Sequence, residues 1–85
     1  MEIEFDPDKE ATNLAKHRIS LGRASDMDAL ITEVDDRFDY GEVRLRTWGF
    51  IDGLPYCLAY TFRDQRVRAI SLRRVHKKEL RRYVR

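Results

Sequence analysis

A chain of 85 residues is enough for one domain, and a domain this short buries only about 60% of the surface its unfolded chain exposes, so its core is thin. Cys57 is the sole cysteine, which excludes an internal disulfide and a cysteine-rich zinc site and leaves a partner chain as the natural extra support. The net charge of +2 hides a division: residues 1–42 carry five Lys/Arg against twelve Asp/Glu (net −7), and residues 43–85 carry twelve against three (net +9).

Along the chain, Met1 to Asp8 alternates acidic and apolar residues and has no signal-peptide character, and no apolar run reaches the roughly 18 residues needed to cross a bilayer. The expectation is a cytoplasmic protein without a membrane segment. Glu2–Phe5 reads as a short strand. Asp6-Pro7 starts a helix, Asp capping the free N–H groups and Pro suiting the first helical position. That helix runs to about His17 with Ala11, Leu14 and Ala15 as its apolar stripe, and Ser20 caps a second short helix that turns Leu21, Ala24 and Met27 inward.

From about Ala29 the period becomes strand-like. Leu30–Val34 and Val43–Ile51 read as strands, and Asp52-Gly53 is the strongest turn signal in the chain, of the kind that closes two-residue hairpins. Tyr56–Arg63 and Arg66–Leu72 follow, joined by Asp64-Gln65, and residues 75–84 read as a closing helix with Leu80, Tyr83 and Val84 on one side. The fold class is therefore α+β: N-terminal helices, a four-stranded antiparallel meander and a C-terminal helix, all in one domain spanning residues 1–85.

Two-residue loops pair Thr47 with Leu58 and Phe62 with Val67. The core face then carries Val43, Leu45, Leu58, Tyr60, Phe62, Val67 and Ala69. The opposite face carries Arg44, Arg46, Thr61 and Arg68 beside Trp48, Ala59, Ile70 and Leu72, with Arg44, Thr61 and Arg68 in one cross-strand row. Like charges that close require a counter-charge, either a bound anion or an acidic side chain from elsewhere in the chain.

These pieces resemble the BrnT family of bacterial type II toxins nearly end to end. The resemblance rests on Phe5-Asp6-Pro7, Lys9, Asn13, Lys16-His17, Asp36, Tyr40-Gly41-Glu42, Arg44, Gly49 and Tyr60-Thr61. It closes on the most specific stretch, Arg68-Ala69-Ile70-Ser71-Leu72-Arg73-Arg74, with Glu79 and Tyr83. Arg18, Leu21 and Val75 depart from the family pattern without removing a charged motif residue. The resemblance implies a RelE-like ribonuclease fold and an RNA-cleaving enzyme that suppresses translation. It also implies inhibition by a ribbon-helix-helix antitoxin, BrnA, in a complex of two toxins and two antitoxins, with DNA bound only through the antitoxin.

Metal-free RNA cleavage needs a base for the 2′-hydroxyl, cations for the charge growing on the phosphate, and an acid for the leaving 5′-oxygen. Arginine stays charged and serves the second need, so Arg44, Arg68, Arg73 and Arg74 are candidates for a phosphate clamp. For Arg73 and Arg74 the plain alternative is solvation of the last helix. Lys16, His17, Glu42, His76 and Tyr83 can exchange a proton. His17 equally suits a helix C-terminus as a cap, and Glu42 equally suits the role of counter-charge to Arg44 or Arg68. Arg46, Lys77 and Arg81 are candidate RNA contacts, and Trp48 either stacks a base or packs under the closing helix. Glu79 is read as a partner for an arginine and Tyr83 as a core aromatic with a wet hydroxyl, both supporting the site. No metal or cofactor is expected, since two scattered histidines form no ligand cluster. A non-catalytic module whose basic face holds an acidic partner or nucleic acid is the competing reading.

Overall fold

The computed structural model describes residues 2–84. It builds five strands, two α-helices and a 3-10 helix in the order β1 (Ile3–Glu4), α1 (Pro7–His17), the 3-10 helix (Leu21–Asp26), β2 (Asp28–Asp35), β3 (Arg44–Ile51), β4 (Leu54–Arg63), β5 (Arg66–Arg74) and α2 (Lys77–Tyr83). The expected meander is present as β2 to β5, but the sheet is five-stranded and mixed. Its order is β1-β5-β4-β3-β2, with β1 parallel to β5 through Ile3–Val67 and Glu4–Arg68. Two residues carry too little pattern to announce a pairing partner more than sixty positions away.

Helix starts follow the local chemistry. Asp6 caps α1 by accepting from the Asp8 N–H at 2.8 Å, and Ser20 Oγ accepts from the Gly22 N–H at 3.1 Å. Both hairpin turns place their two loop residues at positive φ (Asp52 and Gly53, then Asp64 and Gln65), the handedness that matches strand twist. They deliver the expected registers, Thr47 opposite Leu58 and Phe62 opposite Val67.

Between Ala59 and Tyr60 the register of β4 against β5 slips by one, leaving Ile70 as the extra residue of a β-bulge. Beyond it Leu58 faces Leu72 and Cys57 faces Arg73. Leu72 is therefore fully buried in the core beneath the 3-10 helix, not on the arginine face where strict alternation puts it. The same slip turns Arg73 toward α2.

That core gathers Ile19, Leu21, Ala24, Ile51, Leu58 and Ala69 among others. A second, smaller cluster of Trp48, Cys57, Val75 and Leu80 lies on the other face, covered by α2 with Tyr83 and Val84. Two expected core residues are outside: Val43 and Phe62 are 68% and 53% exposed, Val43 lying before β3 begins and Phe62 next to the end of β4, beyond both packed clusters. The stripe expected on α1 also faces solvent, with Ala11, Leu14 and Ala15 exposed. The one buried residue of α1 is Asn13. Its side-chain amide donates to the Leu72 and Ile19 carbonyls and accepts from the Leu72 N–H, each at 2.9 Å. An amide thus supplies to β5 what a further strand would, and α1 is docked by hydrogen bonds rather than by apolar area.

Candidate functional site

The geometry divides the basic residues into three groups. The expected row of Arg44 and Arg68 is internally neutralised. Thr61 pairs with Arg68, and its hydroxyl donates to the Val43 carbonyl at 2.6 Å. Arg68 meets Glu4 at 3.5 Å and Asp6 at 3.8 Å, while Arg44 meets Glu42 at 3.4 Å and lies 4.0 Å over the Tyr40 ring. The counter-charges come from β1, the α1 cap and the β2–β3 connection, so Glu42 stands where a counter-ion stands. This partial pairing weakens the case for Arg44 and Arg68 as a ready clamp.

The second group lies under α2. Glu79 accepts two hydrogen bonds from the Arg73 guanidinium, at 3.1 and 2.8 Å, and one from the Trp48 indole at 2.9 Å. Burial opposes the charge on both partners, but the paired bonds outweigh it: the Glu79 carboxyl is held below its usual range and Arg73 above its own. Glu79 is accordingly an ionised acceptor, not a proton donor. Tyr83 stacks on Trp48 at 3.9 Å between ring centroids, and the Arg46 guanidinium lies 4.9 Å over Trp48 and 5.6 Å over Tyr83. Trp48 is 0% exposed, so its ring offers no face to a base, and of the two roles the sequence left open for it the structure shows packing under α2. Arg46 is half-buried, with its Nε enclosed and without a hydrogen-bond partner. The Cys57 thiol, buried beside this network, is pushed up to about 11 by desolvation and is no nucleophile at neutral pH.

The third group is a cleft of about 260 Å³ between α1 and the edge of β5, lined by Lys9, Thr12, Asn13, Lys16, His17, Ile70 and Ser71. Lys9, Thr12 and Lys16 fall on one helix face by their spacing of three and four. The α1 terminus delivers His17, which Arg18 follows in a left-handed conformation at φ 60°. Burial, then Lys16, then Arg73 hold the His17 imidazole below its ordinary value of 6.5. A helix C-terminus would favour the imidazolium, but here desolvation and the neighbouring cations win. At neutral pH His17 is therefore an unprotonated base beside two cations.

Arg74 is exposed at the end of β5, opposite Tyr56, on the other side of the strand from Arg73. Lys77 and Arg81 are exposed and line an open basic hollow with His76 and Lys78. Lys9, Thr12 and Ser71 were not singled out as site residues from the sequence. The helical spacing of Lys9, Thr12 and Lys16 was the available signal, whereas Ser71 reaches the cleft through the bulge. Among the described residues no group of three or more His, Cys, Asp or Glu is placed to hold a metal ion, and no helix is long and apolar enough to cross a membrane.

The chain is thus a small α+β domain with a cleft lined by two lysines and a histidine. The family model for BrnT, the ribonuclease toxin of type II toxin-antitoxin systems, matches residues 5–79, and the chain belongs to that family. It is a ribonuclease toxin, and membership brings with it RNA as substrate and an antitoxin as partner. No curated protein and no solved structure matches the chain.

Proposed function

We propose that RNA is cleaved without a metal ion in the cleft between α1 and β5. His17 takes the 2′-hydroxyl proton, the 2′-oxygen attacks phosphorus, and the bond to the 5′-oxygen breaks to leave a cyclic phosphate and a 5′-hydroxyl. Lys9 and Lys16 carry the phosphate charge, Lys16 protonates the leaving oxygen, and Arg73, oriented by Glu79, adds a fixed positive charge nearby. Arg74, Lys77 and Arg81 extend the basic path for the rest of the strand. The single observation that carries this reading is the placement of His17 at the end of α1 in a cleft shared with two lysines.

The element order, a short strand and α1 followed by a meander closed by α2, supports a RelE-like fold. On the same reading the partner is a BrnA-like ribbon-helix-helix antitoxin, two toxins joining two antitoxins in the cytoplasm, with DNA bound through the antitoxin alone.

The test is incubation of the purified chain with single-stranded RNA in EDTA. Cleavage is expected, with loss in His17→Ala while the fold is retained. It should rise with pH through the depressed histidine pKa and stay flat across neutrality, because the base is competent only when unprotonated. RNA that is retained but uncut would favour the non-catalytic binding module, and cleavage that stops on chelation would contradict the metal-free route.

A further inference from the structure

The two edges of the sheet are finished differently. At the β5 edge, β1 and the Asn13 amide occupy the outward backbone groups. At the other edge β2 pairs with β3 alone, and its remaining side carries the unpaired N–H and C=O groups of an edge strand. A bulge between Ala29 and Ile31 interrupts only its start, leaving Ile31–Asp35 regular. Lysine and proline, the usual guards of an exposed edge, are absent from β2.

The side chains around this edge have a definite chemistry. Among the described residues, four of the seven exposed large hydrophobics lie between positions 28 and 43: Leu30, Val34, Phe38 and Val43. The same stretch holds six carboxylates and one arginine, net −5. Asp28, Glu33, Asp36 and Asp39 make no salt bridge among the described residues. The register sorts the two kinds of residue by face. Thr32 and Val34 lie with Thr47 and Leu45, beside an apolar groove of about 340 Å³ lined by Met27, Ala29, Thr32, Thr47, Tyr60 and Val67 among others. Glu33 and Asp35 lie on the opposite face with Arg46 and Arg44.

We infer that β2 receives an extended segment of a partner protein as a sixth strand, and that this segment alternates apolar residues, which fill the groove beside Val34, with Lys or Arg, which face Glu33. Strand addition takes affinity from main-chain bonds and specificity from alternate side chains. A second copy of this chain is disfavoured as occupant, since pairing β2 with itself brings two segments of net −5 together. Nucleic acid is disfavoured for the same reason. On the toxin reading above, on which the identity of the partner rests, that segment belongs to the antitoxin.

The experiment uses the whole chain, labelled with nitrogen-15, titrated with a short peptide alternating valine and lysine and with its glutamate counterpart. The inference expects amide shifts and slowed exchange centred on Ile31–Asp35 with the lysine peptide only, and affinity weakened roughly tenfold by Glu33→Lys. Val34→Asp, at an exposed position on the other face of β2, should weaken it as well. Shifts centred elsewhere, equal binding of the glutamate peptide, or indifference to both substitutions would overturn it, as would dimerisation of the free chain through β2. RNA cleavage measured on the same samples separates the two readings: edge binding without cleavage sinks the ribonuclease site and spares the edge, and the reverse does the opposite.

Discussion

The edge of the sheet at β5 and the edge at β2 start from the same problem, a row of backbone groups facing outward, and meet it in opposite ways. At β5 a buried asparagine completes the hydrogen bonds, which brings α1 against the strand and forms a cleft lined by lysines and a histidine. At β2 the edge is open, acidic and apolar. The charged side chains of both surfaces come from the acidic first half, Lys9, Lys16 and His17 at the cleft and the unpaired carboxylates at β2, so tertiary placement and not the division of charge along the sequence makes two surfaces suited to two different ligands. The comparison also shows that the charges do not simply cancel. Arg44 and Arg68, the two arginines of the expected row, are paired with carboxylates from the β2–β3 connection and the N-terminal segment, while Lys9 and Lys16 of the cleft make no salt bridge among the described residues.

The comparison can be broken first at the base. His17→Ala should lower RNA cleavage by about 10²–10⁴-fold with the melting temperature little changed. A loss of folding instead would show that His17 serves as a helix cap. Asn13→Ala attacks the sealed edge. It leaves two carbonyls and one N–H at Ile19 and Leu72 without partners, at a cost of about 2–4 kcal/mol by denaturant titration, and it should open the cleft. Glu79→Gln removes the charge that orients Arg73. A loss of about 1–2 kcal/mol is expected, with the pair partly exposed and so screened, along with weaker RNA cleavage.

Much of the fold was readable because turns and caps are local. The Asp52-Gly53 dipeptide was sufficient for the register of β3 on β4, and Asp6-Pro7 for the start of α1. What escaped was set by distance or by one extra residue. The bulge at Ile70 leaves no mark on the alternation of Arg66–Leu72, yet it decides that Arg73, rather than Arg74, meets Glu79. The misread stripe on α1 has a similar cause: Leu14 looks like a core residue in any window, but Asn13, one position away, carries the tertiary contacts. For the site, His17 and Lys16 were nameable from their chemistry. The neutralisation of Arg68 was not, since its partners Glu4 and Asp6 lie more than sixty residues earlier.

Acid sharpens the comparison on the β2 side. The Arg37 side chain, then its backbone N–H and the Tyr40 hydroxyl, hold the Asp35 carboxyl well below the usual carboxylate range against the opposing effect of burial. Its folded-state pKa is depressed, so the stability it contributes is complete above the unfolded value of about 3.9 and is lost as pH falls below it. Asp35→Asn should flatten that part of the pH–stability curve, and urea midpoints across the acid range would read it. The smallest effect is expected at Leu14, 44% exposed on α1: Leu14→Ser should shift stability by no more than about 0.5 kcal/mol. A larger loss would restore the stripe as part of the core.

The division of labour between the two edges is tested most directly by one RNA cleavage assay in EDTA on the wild-type chain, His17→Ala and Glu33→Lys side by side. The account predicts that the wild type and Glu33→Lys cut RNA at the same rate and that His17→Ala does not. Equal cleavage by His17→Ala, or loss of cleavage in Glu33→Lys, would contradict it.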